Sequence, residues 1–180
     1  MGYRHTREEI LDGALAVAFD VGLSRLTFGR VAASMGINDR TVVYYFPTKD
    51  ELITEVVTSM GVQLQATLGE AFSTPAAGHL ELARAAWPVL ARTEADPVFA
   101  LFFEANGLAA AGRAPFDTLV PGLVEAWVTW VMTHLTGTRR ERRAEAEATI
   151  ALLDGLLLLR QLGGPTSAAR AARRLGVSAR

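Results

Sequence analysis

Residues able to do chemistry are sparse and unevenly spread in this 180-residue chain. The three histidines, His5, His79 and His134, stand too far apart for an HxH or HxxxH metal pair, and cysteine is absent. No serine sits in a Gly-x-Ser-x-Gly elbow, and no glycine-rich phosphate loop occurs. Glu104 and Asp154 are carboxylates among apolar helical residues, but nothing in their spacing pairs them for acid–base work. An enzyme, a metal centre and a bound cofactor are therefore not expected. The densest polar constellation is Asn38, Asp39, Arg40, Thr41 and Tyr44, directly after Gly36-Ile37. Such groups suit base edges and phosphates: Arg40 can donate two bonds to guanine O6 and N7, and Asp39 can accept from a cytosine amino group.

The elements that would position these residues are short helices. Thr6 and Glu9 form a capping box, after which Ile10, Ala14, Val17, Ala18 and Val21 recur at helical spacing until Gly22, which can supply a left-handed stop. Thr27 caps a second helix with Phe28, Val31, Ala32 and Met35 on its inner side, and Gly36 ends it. Asn38 caps a third helix, with Val42 and Tyr45 following Ile37 on the buried side, and Pro47 prevents its continuation. Thr48 and Glu51 form another capping box that opens a long fourth helix. Two short helices around a tight glycine turn make a helix-turn-helix, with small Ala32 letting the helices approach; the plain alternative is a generic three-helix bundle.

The run LTFGRVAASMGINDRTVVYYFPTKDELITEV, Leu26 to Val56, resembles the DNA-binding segment of the TetR family of bacterial transcriptional regulators. The resemblance rests on Leu26-Thr27, Val31-Ala32, Gly36-Ile37, Thr41 and the exit Tyr45-Phe46-Pro47-x-Lys49-x-x-Leu52. It implies that Thr27 and Lys49 hold phosphates, Lys49 at the start of the fourth helix where backbone amides favour an anion. With them, Arg30, Asn38, Asp39, Arg40, Thr41, Tyr44 and Tyr45 form the expected DNA-binding set. One departure stands out: Val43 occupies the slot in which family members usually carry a phosphate-contacting tyrosine. Few phosphate contacts and strongly sequence-dependent, salt-sensitive binding are expected.

Charge agrees with a local, not a global, polyanion site. Half the residues are hydrophobic, ample for a core, and the net charge is −1. Residues 1–60 carry six basic and eight acidic groups, whereas residues 139–180 carry nine and four, including Arg139, Arg140, Arg142, Arg143, Arg170, Arg173, Arg174 and Arg180. A solvated helix face accounts for that cluster. The most apolar run, Ile150 to Leu159, is about half the length of a membrane span and contains Asp154. The start matches a Met-Gly-x-x-x-Ser/Thr acylation pattern, but Thr6 serves as a helix cap, so no lipid anchor is expected. A cytoplasmic protein without membrane contact follows.

Beyond the fourth helix the chain reads as all-α. Prolines and glycines divide it into helical stretches near 77–94, 96–110, 115–136, 139–162 and 166–175, with Pro88 expected to kink the first unless the helix starts there. The expected organisation is a three-helix DNA-binding domain over 1–48, a linking helix over about 49–72, and a helical effector-binding and dimerisation domain over 73–180. The stretch near 115–136 is apolar on two rows, one through Trp127, Trp130 and His134 and one through Val124, Val128 and Val131. A helix apolar over so wide an arc needs partners on two sides, and a second copy of the chain supplies one. Val124, Val128, Val131, Leu152, Leu153, Leu156, Leu157 and Arg160 are the expected dimer contacts, consistent with the four-helix interface that the resemblance implies. A dimer presents two reading helices one DNA turn apart and requires an inverted-repeat operator.

The resemblance further implies a small-molecule pocket whose occupancy moves the fourth helix. Leu64, Trp87, Phe99, Phe103, Asn106, Trp127, Trp130 and His134 are its expected lining: mostly apolar walls with few polar fixtures, suited to a hydrophobic effector, although aromatic residues at helical spacing also make ordinary cores. The expected activity is that of a repressor relieved by its ligand. A regulator gated by a protein partner or lacking a ligand is the main competing reading, with a helical enzyme and a helical dimer binding only protein behind it.

Overall fold

A computed structural model describes residues 5–178; Met1 and Gly2 of the acylation pattern, and Arg180 of the basic cluster, lie outside them. The described residues form helices α1 (Arg7–Val21), α2 (Phe28–Met35), α3 (Asp39–Tyr45), α4 (Lys49–Ala71), α5 (His79–Leu90), α6 (Asp96–Ala110), α7 (Phe116–Met132) and α8 (Arg139–Arg174), with a 3-10 turn at Thr93–Ala95. The architecture is all-α. Strand-like pairing among the described residues is confined to one bridge, in which Ala76 N–H donates to the His134 carbonyl and Thr136 N–H to the Ala76 carbonyl, both at 2.9 Å.

Local chemistry sets most of the boundaries. Thr6 and Glu9 cap α1 reciprocally, at 2.8 and 3.1 Å, and Thr48 and Glu51 do the same at the start of α4. Thr138 and Glu141 form a further box at the start of α8. Gly36 ends α2 in the left-handed conformation, φ 66° and ψ 32°, where a Cβ would be penalised. Gly22 departs from expectation: its φ of 85° is positive, but ψ is 163°, so it turns the chain out of α1 without a left-handed cap.

The chain divides into two compact units, one of described residues up to Val62 with Leu101–Val120, the other of Gln63–Ala100 with the described residues from Pro121 onward. In the first, Ile10, Ala14, Leu23, Leu26, Val31, Val42, Phe46, Leu52 and Val56 are fully or almost fully buried. Ala32 is buried as expected, but Met35 and Ile37 are only half-buried. Gly13 adds a close approach, since a Cβ there would run into Met35 Sδ. Arg7 pairs with Glu55 at 3.0 Å and lies over the Phe46 ring, fastening α1 to α4 and to the end of α3.

In the second unit α5 packs on α8, and polar ties reinforce the pair. Glu145 accepts from both His79 N–H and His79 Nδ1 at 2.7 Å, and Arg84 Nε donates to the Gly176 carbonyl at 2.6 Å. Arg160, buried, makes a bidentate pair with Asp96 at 2.5 and 2.9 Å, while Gln161 donates to the Asp96 carbonyl. Pro88 lies inside α5, which ends two residues later at Leu90, short of the expected stretch to about 94. The two C-terminal stretches are two helical segments of α8 that meet at a kink, where Gly164, φ 82° and ψ 166°, is non-helical just before Pro165.

Burial revises the expected dimer face. Val128, Val131, Leu153, Leu156, Leu157 and Arg160 are buried within the single chain, and Leu152 is half-buried, so most of these side chains are occupied by the protomer's own core. What α7 and α8 leave exposed is Val124 on α7, with Leu158, Leu159 and Leu162 on α8, the last 81% exposed.

Candidate nucleic-acid interface

The interface is built on α3 and the turn before it. Val42 anchors α3 at zero exposure, and the opposite face presents Asp39, Arg40, Val43 and Tyr44 to solvent, Tyr44 at 78%. Asn38 is exposed, but its Oδ1 accepts Arg40 N–H at 2.9 Å, so the side chain is held as a cap with only its amide N–H groups free to donate outward. Thr27 Oγ1 accepts Arg30 N–H at 3.3 Å in the same way at the start of α2, leaving its hydroxyl hydrogen for an external acceptor. Thr41 is half-buried.

Tyr45 takes a different part from the one expected. Its hydroxyl donates to the His5 carbonyl at 2.6 Å, and its half-buried ring meets Tyr44 edge-on, centroids 5.0 Å apart. That bond ties the chain before α1 to the end of α3, so Tyr45 supports the reading face and Tyr44 alone of the two presents its ring outward. Lys49, exposed at the first position of α4, reaches the Ser24 carbonyl at 3.5 Å. Arg30 and Arg40 are exposed and make no salt bridge among the described residues. With Arg7 committed to Glu55, positive charge at the reading face rests on Arg30, Arg40 and Lys49, opposed by Asp39.

A contact not anticipated from the sequence fastens the α1–α2 turn from a distant part of the chain. Glu104, on α6, accepts from Leu23 N–H at 2.8 Å, from Ser24 N–H at 2.9 Å and from the Ser24 hydroxyl. Partial burial pushes the Glu104 carboxyl up, but the Ser24 hydroxyl and the two backbone N–H groups, with Arg25 nearby, outweigh it and hold it below the usual carboxylate range. The only sequence signal was a carboxylate in an apolar helix.

The residues expected to line an effector pocket divide between the two units. Phe103 and Asn106 lie in the first. In the second, Trp87 and Phe99 are buried, Leu64 is half-buried, and Trp127, Trp130 and His134 form one aromatic cluster. That cluster includes Phe72, immediately after α4, whose ring centroid lies 5.6 Å from Trp130 and 5.1 Å from His134. His134 Nε2 is buried with no hydrogen-bond partner. Asp154 on α8 is half-buried, and burial pushes its carboxyl up to about 6.

Comparison with known proteins bears on the first unit and on the whole fold. The family model described as bacterial regulatory proteins, tetR family, matches residues 10–56. No curated protein matches the sequence. Among solved structures, a transcriptional regulator from Rhodococcus sp. Rha1 is 20% identical, covering 96% of this chain and 94% of its own, with a TM-score of 0.74. A TetR transcriptional regulator from Legionella pneumophila is 21% identical over 97% of both chains, TM-score 0.64. The multidrug binding protein EbrR complexed with proflavin is 24% identical, covering 94% of this chain and 96% of its own, TM-score 0.68. No helix among the described residues is long and apolar enough to cross a membrane.

Proposed function

We propose that this chain, whose residues 10–56 match the model of the tetR family of bacterial regulatory proteins, is a transcriptional repressor that binds an inverted-repeat operator as a homodimer and is released by a small aromatic effector. The observation that carries the DNA-binding part is the division of labour on α3: Val42 and Tyr45 hold the helix, while Asp39, Arg40, Val43 and Tyr44 stand free on one outward face. Thr27, Arg30 and Lys49 flank that face as phosphate donors, and Arg40 is the guanine reader. Dimerisation is supported by the exposed Val124, Leu158, Leu159 and Leu162, leucines and a valine that a lone protomer leaves in water.

The effector part rests on the Phe72, Trp127, Trp130 and His134 cluster, aromatic rings in mutual contact beside one unsatisfied ring nitrogen able to fix a polar atom of a ligand. EbrR, which shares the fold, is a multidrug binding protein complexed with proflavin, a planar aromatic compound. Phe72 follows α4, the helix that begins at Lys49, so a ligand displacing Phe72 would act on the same helix that carries a phosphate contact.

Selection of bound sequences from a random duplex pool, with the mass of the complex measured alongside, tests this reading. Recovery of an inverted repeat by a dimer is the expected result. Recovery of no consensus at low salt from a folded dimer would overturn it. The effector part is tested separately by titrating planar aromatic compounds while following tryptophan fluorescence and operator affinity; it fails if saturating ligand leaves affinity unchanged, since a ligand shifts an equilibrium only by differential binding.

A further inference from the structure

We infer that Val43 is a base-reading residue of this chain, specifying thymine by contact with its C5-methyl group; the inference rests on the DNA-binding reading above. Val43 is 40% exposed, although a β-branched apolar side chain on a short helix would ordinarily be turned inward, as its neighbour Val42 is. It lies one turn beyond Asp39 and Arg40, at the (i, i+4) and (i, i+3) positions, and so shares their outward face. Any duplex that brings Arg40 to a base edge also brings the Val43 methyls into the groove.

The chemistry of that groove selects the partner. In the major groove the base-edge groups are mostly hydrogen-bond donors and acceptors, and the one methyl among them is that of thymine; cytosine offers only a C5–H in its place. A valine can neither donate nor accept, so seating it over a guanine, adenine or cytosine edge would strip water from polar atoms and return no bond. Over thymine it buries methyl against methyl. A phosphate partner is excluded for the same reason. The rest of the face leans the same way: the Asp39 carboxylate offsets the Arg40 charge, and the Tyr44 ring, steadied by its edge-on contact with Tyr45, adds further apolar surface beside Val43. The face therefore adds apolar discrimination at Val43 to the hydrogen bonds that Arg40 offers.

The test uses the full-length dimer and the selected operator, with each thymine replaced in turn by deoxyuridine, which lacks only the methyl group. The expected result is one thymine per half-site whose replacement weakens binding about fourfold, the factor contributed by burying one methyl group, and about fifteenfold when both half-sites are changed. Val43→Ala should bind the thymine operator more weakly and lose most of that discrimination, whereas Val43→Ile should keep it. Because Val43 is exposed, both variants should keep the wild-type thermal midpoint, which checks that they fold. If no deoxyuridine replacement weakens wild-type binding, or if the discrimination survives unchanged in Val43→Ala, the inference is overturned while DNA binding stands. If the chain selects no sequence at all, the DNA-binding reading fails and this inference falls with it.

Discussion

Arg40 and Asp154 show how differently a residue's role can be fixed. Arg40 is exposed on α3 with its backbone N–H held by the Asn38 cap, and the base-reading role proposed for it rests on that position alone. Replacing it with alanine is expected to cost about 1–3 kcal/mol at the cognate operator and little at unrelated duplexes, measured by competition binding; an equal loss on every sequence would make it a phosphate contact. Asp154 acts on stability instead. Its carboxyl titrates at about 6 in the fold, against 3.8 without burial, so between those values the folded chain holds a proton that the unfolded chain has released. The stability contribution is present at low pH and is lost as pH rises through about 6, by about 3 kcal/mol at most. Asp154→Asn is therefore expected to stabilise the protein at pH 7 and to flatten that part of its pH profile in denaturant titrations. Capping pairs such as Thr6 with Glu9 were legible in the sequence because they are local. The Glu104 bonds were not, since nothing nearby in sequence links it to Leu23 and Ser24, about eighty positions away.

At the scale of elements, the short helices are held by few but well-placed bonds. The α1–α2 turn depends on Glu104 for two backbone N–H groups, which lose an acceptor if the carboxylate is changed. Glu104→Gln offers one acceptor oxygen in place of two. It is expected to lower stability by about 1 kcal/mol and to speed amide hydrogen exchange at Leu23 and Ser24, with little change in the middle of α1. The Glu104 carboxyl is held below the usual range, so its contribution is present above the ordinary carboxylate value and lost as pH falls through the depressed one. The order and approximate extent of the helices could be read from apolar spacing, Gly36 and Pro47. Which way α7 and α8 face could not. A helix apolar around most of its circumference carries no inward direction in one dimension. Leu157 and Leu158 are both leucines of one run, yet the first is 2% exposed and the second 41%.

For the molecule as a whole, that difference decides which substitution reports on assembly. Leu157→Arg would bury an unpaired charge and unfold the protomer, so it says nothing of a partner. Leu158→Arg places the charge in water, and the protomer is expected to stay folded. Sedimentation should then show a monomer, and operator affinity should fall by orders of magnitude, because a single reading helix no longer gains from its twin. A dimer that persists would move the interface off α8. The tetR-family segment was legible because its residues are contiguous, whereas the proposed effector cluster was visible only in part, since Phe72 stands apart in sequence from Trp127, Trp130 and His134.

Lys49 is the only lysine in the sequence, against seventeen arginines. Its ammonium is exposed at the start of α4 and leans on the Ser24 carbonyl. Amine-directed labelling therefore has, apart from the α-amino group, a single target, and it lies at the surface proposed to meet DNA. Treating the protein with an acylating reagent at graded operator concentrations should turn side-chain modification into an occupancy gauge: one mass increment when free, suppressed in proportion to bound duplex, with peptide mapping assigning it to Lys49. A modification rate indifferent to saturating operator would place this lysine away from the phosphates.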